Sequence, residues 1–103
     1  MRSILKRPQA ERDIEQCFVY IGVDNLDAAL RFLDAIENSL ETISENPLIG
    51  SPREFGNAGI KNLRMWLVTG FENYEIFYLA EDEMIDVIRV LHSARDLEGI
   101  FGE

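Results

Sequence analysis

The feature that most constrains this chain is a change of hydrophobic period part way along it. From Gln9 to Glu45 apolar residues recur every three or four positions, and from Ile60 to His92 they fall in short β-branched and aromatic runs. The first pattern belongs to amphipathic helices and the second to strands. Between them lies PLIGSPREFGNAG, residues 47–59, whose two prolines and three glycines read as a loop containing Arg53.

Within the helical half, Ala10, Ile14, Cys17, Phe18 and Ile21 share one face, and Gly22 is placed to end the first helix. Asn25 or Asp24 then caps a second helix from Leu26 to Glu45. Along it Ala29, Leu33, Ile36, Leu40 and Ile43 alternate steps of four and three, Phe32 widens the face, and Asn46-Pro47 stops the helix. A short connection makes the two an antiparallel hairpin. A brief strand, SILKR, precedes them. In the second half IKNLRMWLV, YEIFYLA and MIDVIRVLH are joined by turn-like TGFEN and EDE, and SARDLEGIF reads as a short terminal helix or turn. The expected fold class is α+β: an N-terminal strand, a two-helix hairpin, a three-stranded antiparallel meander forming one small sheet, and a short C-terminal helix.

A chain of 103 residues, 47% of them hydrophobic, fits one domain with its own core. The formal charge of −9 argues against direct, specific nucleic-acid binding over a broad surface. No apolar run approaches a membrane span, and the basic start MRSILKRPQAERD has no apolar segment behind it, so the expected location is cytoplasmic. Cys17 is the single cysteine and His92 the single histidine, which leaves no metal-ligand spacing and no expected cofactor.

The order of elements carries recognisable words: AERDIEQCFVYI, DNLDAALRFLDAIE, ENPLIGSPRE and, most specifically, LRMWLVTGFENYEIFY with VIRVLHSARDLEGIF. Together they resemble the ParE branch of the RelE/ParE superfamily of bacterial type II toxin–antitoxin modules, over nearly the whole chain. The resemblance implies a toxin neutralised by a ParD-like antitoxin in a hetero-oligomer, with DNA gyrase as the target. RelE-type relatives instead cut mRNA on the ribosome, and a degenerate member would only bind its antitoxin and regulate. Two departures count against RNA cleavage: Leu79 stands where relatives often carry arginine, and the chain is acidic where such toxins tend to be basic. Antitoxin binding is then expected to rest on apolar burial and a few local ion pairs.

The candidate residues follow. Arg64, Arg89, His92 and Arg95 are the expected toxic surface. For the RNA-cleaving alternative the catalytic set is His92, Tyr78, Arg64 and Arg89, because that chemistry needs a base, an acid and positive charge on the phosphate. The plainer alternative has His92 bonding backbone at a strand end and Arg95 pairing with a carboxylate such as Asp13 or Glu98. Arg64 either faces a ligand or covers Trp66 with its stem. Tyr20, Val23, Leu30, Phe32, Arg53 and Trp66 are the expected antitoxin contacts, as exposed apolar or loop positions suited to an amphipathic partner. Cys17, on the apolar face of the first helix, reads as a buried small hydrophobe.

Overall fold

The computed structural model describes residues 2–54, 60–95 and 100–101. The elements run β1 (Ser3–Lys6), α1 (Pro8–Asp24), α2 (Leu26–Glu45), β2 (Ser51–Pro52), β3 (Arg64–Val68), β4 (Phe71–Ala80) and β5 (Met84–His92). They form an α+β fold with one mixed five-stranded sheet in the order β1-β5-β4-β3-β2. Strands β2 to β5 pair antiparallel, while β1 lies parallel to β5 with Ile4 opposite Ile85.

Local chemistry explains most of the boundaries. Pro8 opens α1, where its missing N–H costs nothing. Gly22 does not end α1, which continues to Asp24; instead Gly22 faces Ala29 across the hairpin, where an added Cβ would sit 3.5 Å from the alanine methyl. That is an ordinary van der Waals distance, so the position does not demand glycine. Asn25 has extended backbone, and its side chain accepts from the Ala28 amide at 3.0 Å, starting α2.

One expectation changes. The stretch expected to be all loop contributes β2 at Ser51–Pro52, because Arg64 and Met65 offer an open strand edge there; residues 55–59 lie outside the described residues. The expected C-terminal helix falls mostly on 96–99 and 102–103, which lie outside the described residues; Ser93 and Ala94 form a turn, and Ile100 and Phe101 are helical.

The helices cover one face of the sheet. Phe32, Ile36, Leu40 and Ile43 of α2 meet Ile76, Tyr78, Ile85, Val87 and Val90 in the main core. On β4 the alternate residue Phe77 joins a second cluster with Leu63, Ile88, Leu91 and Phe101 on the opposite face. A register shift between Phe77 and Tyr78 sets Tyr78 against Val87 and Phe77 against Arg89. That irregularity lets Val87 and Val90, three apart, both belong to the helix-side core, as a β-bulge does.

A cleft at the end of the central strand

The irregularity in β5 also sets up its contact with α1. Asp13 lies on the buried stripe of α1, only 3% exposed. It accepts from Arg89 Nε at 2.7 Å, Arg89 Nη2 at 3.0 Å, the Val90 amide at 3.0 Å and Gln9 Nε2 at 3.2 Å. Four donors around a buried carboxylate satisfy it. Asp13 therefore pairs with Arg89 rather than Arg95, and Arg89, expected on the toxic surface, is mostly buried as a tie between α1 and β5.

Arg64 and Tyr78 are likewise engaged. Arg64 Nη1 donates to the Leu48 carbonyl at 3.1 Å and the Gly50 carbonyl at 2.6 Å. The fully buried Tyr78 hydroxyl donates to the Pro47 carbonyl at 2.8 Å and accepts from the Gly50 amide at 2.9 Å. Burial pushes the Tyr78 phenol above its usual range, against the opposing pull of the Gly50 amide and of Arg64. Of the alternative catalytic set of His92, Tyr78, Arg64 and Arg89, the last three are thus hydrogen-bonded within the protein, with Arg64 opposite Tyr78 across β3 and β4.

His92 and Arg95 do come together. With Gln16, Cys17, Tyr20 and Tyr74 they line an open cleft of about 450 Å³ between α1 and the end of β5. The His92 ring stands edge-on to Tyr74 at 5.0 Å, and its Nδ1 accepts from the Ala94 amide at 3.0 Å. The proton of the neutral ring is thereby assigned to Nε2. The Arg95 guanidinium is exposed and makes no hydrogen bond or ion pair among the described residues. Burial pushes the Cys17 thiol up to about 11, with Asp13 adding to the rise and Arg95 opposing it. A thiol so placed is protonated near neutral pH and is a poor nucleophile. Burial raises the Tyr74 phenol as well, followed by Cys17 and Tyr20.

The expected antitoxin contacts separate. Tyr20 at the cleft mouth is 74% exposed, and Val23 (80%) and Leu30 (49%) stand open near the hairpin tip. Phe32, expected beside them, is fully buried, with Phe71 and Tyr74 edge-on at 5.4 and 5.0 Å. Its position between Ala29 and Ile36 puts it on the sheet-facing side of α2. Trp66 is half-buried against the helix-side core, and Arg53 lies with its guanidinium 5.9 Å from the centre of the Phe77 ring; neither joins Tyr20. Sequence reasoning missed Gln16 as a cleft residue and underrated Asp13. The available signal for Asp13 was its place three residues after Ala10 on the apolar stripe, where a carboxylate needs a buried partner.

Among the described residues no group of three or more His, Cys, Asp or Glu side chains could hold a metal ion, and no helix is long and apolar enough to cross a membrane.

Comparison with known proteins bears on these features. The family described as "ParE toxin of type II toxin-antitoxin system, parDE" matches residues 4–97. A solved structure, the chromosomal ParDE TA system from P. aeruginosa, superposes with a TM-score of 0.70 over 89% of this chain and 96% of that one, at 14% identity. At that identity the likeness is one of fold. No curated protein matches.

Proposed function

The chain belongs to the ParE toxin family of type II toxin–antitoxin systems, and from that premise we propose that it acts in the cytoplasm by binding DNA gyrase, silenced by a ParD-like antitoxin. The observation that carries this reading is the state of the cleft. Of the arginines and tyrosine weighed for catalysis, Arg64, Arg89 and Tyr78 are engaged inside the protein. His92 and Arg95 remain, beside Tyr20 and Tyr74 and an apolar floor including Cys17 and Leu91. Phosphodiester cleavage needs a positioned base, a second proton donor and clustered positive charge. Tyrosine and arginine over apolar surface are instead the residues that anchor protein–protein contacts.

Pulse labelling of DNA and protein synthesis after expression without antitoxin tests this. DNA synthesis is expected to fall first, and Arg95→Ala or Tyr20→Ala to weaken growth arrest by degrees, with no RNA fragments appearing. An earlier fall in protein synthesis would overturn the reading and make His92 the residue to mutate. The absence of any arrest would point to a member that only binds its antitoxin.

A further inference from the structure

A second groove lies on the other side of α1, away from the His92 cleft. It encloses about 500 Å³ between α1, α2 and the end of β1. Its floor is apolar: Ile14 and Phe18 from α1, Leu33 and Ile36 from α2. Both walls are acidic, with Glu11 and Glu15 on one side and Asp34 and Glu37 on the other. Among the described residues the only cation lining it is Lys6, whose ammonium is bound to Glu37 at 2.7 Å. Glu11, Glu15 and Asp34 are exposed and make no hydrogen bond or ion pair through their carboxylates among the described residues. The apolar floor does not stop at the groove. Leu26, Leu30, Leu33 and Glu37 step by four, three and four along α2, so exposed Leu30 (49%) and Leu26 (61%) extend the row to the hairpin tip.

We propose that this groove is a docking site for a basic amphipathic helix of a partner protein, with apolar side chains on Phe18, Leu33 and Leu30 and lysines or arginines on the two carboxylate walls. The shape favours a helix, because the trough between two antiparallel helices accepts the ridge of a third. The charge selects a basic one. An acidic segment would set like charges face to face along both walls, and a neutral one would leave the carboxylates facing it without partners. The direction of this complementarity is set by the chain's own four carboxylates. The inference goes beyond the proposed target, since groove binding and growth arrest are read separately.

The test uses the full chain and three synthetic helices, with binding followed by calorimetry. One helix carries leucines on one face flanked by lysines; the second has glutamate for each lysine; the third has serine for each leucine. The lysine–leucine helix is expected to bind, the glutamate version at least about tenfold more weakly, and the serine version not at all. The gap between the first two should shrink in about 1 M salt. Combining Glu11→Gln, Glu15→Gln and Asp34→Asn should remove the preference. Combining Glu81→Gln, Asp82→Asn and Glu83→Gln, an equal change of charge away from the groove, should keep it. Equal binding of the lysine and glutamate helices, or loss of preference in both variants alike, overturns the proposal. So does self-association of the chain that Leu30→Ser abolishes, which would make the groove a contact between copies.

Discussion

A carboxylate with 3% exposure is stable only when every acceptor site is matched, and Asp13 meets that condition through Arg89, Val90 and Gln9. The same residue ties a helix to the strand that ends in the cleft, so its effect on function is positional. Removing Arg89 leaves a buried charge with two weaker donors. Arg89→Ala is therefore expected to cost about 3–5 kcal/mol in denaturant unfolding, as breaking a buried ion pair from one side does. A loss near zero would show that Asp13 finds other solvation. The exposed Arg95, by contrast, should change unfolding little when replaced. At this scale the sequence made the residue types legible, including a lone histidine near two arginines. It did not show which arginine meets Asp13, because Arg89 and Arg95 are both near the end of β5 and only the strand irregularity chooses between them.

Among the elements, the segment from Pro47 to Pro52 is held from below by two side chains of the sheet. Tyr78 binds both Pro47 and Gly50, and Arg64 binds the carbonyls of Leu48 and Gly50. Gly50 is required by this closeness: a Cβ there would lie 2.6 Å from the Tyr78 hydroxyl. Tyr78→Phe leaves one donor and one acceptor of the segment unpaired, for an expected loss of about 1–3 kcal/mol near neutral pH. The pH dependence has a definite sign. The folded phenol titrates above the ordinary tyrosine value of 10.0, so the contribution is complete below pH 10 and is lost as pH rises through the folded value. The difference in denaturation midpoint between wild type and Tyr78→Phe should therefore narrow above pH 10. A gap independent of pH would mean that the hydroxyl contributes through packing alone. The two-residue strand β2 illustrates what sequence periodicity cannot register, since two residues carry no period.

For the whole molecule, the decisive contact joins the two ends of the described chain. Strand β1 pairs with β5 in parallel, and Arg7 Nε and Nη2 grip Asp86 at 3.1 and 3.0 Å across 79 positions of sequence. Without β1, β5 becomes an open edge and Asp86, at 8% exposure, loses its partner. A chain beginning at Pro8 is expected to unfold at clearly lower denaturant and to aggregate, and a synthetic peptide of residues 1–7 should restore part of the loss. Unchanged unfolding on truncation would show that the meander and hairpin suffice.

The sequence by itself determined the kinds of the longer elements. Helical period, the Asn25 cap and the Asn46-Pro47 stop set the hairpin, and aromatic and β-branched runs set the meander, all through interactions within a few residues. It also carried the family resemblance, which the match over residues 4–97 bears out. Only the tertiary structure decided the parallel place of β1, the burial of Phe32, the engagement of Arg64, Arg89 and Tyr78, and the meeting of Tyr20 with His92 and Arg95. Each of these depends on pairing between distant segments or on a one-residue shift of strand register. Such a shift turns side chains from one face to the other without altering the local pattern from which a sequence is read.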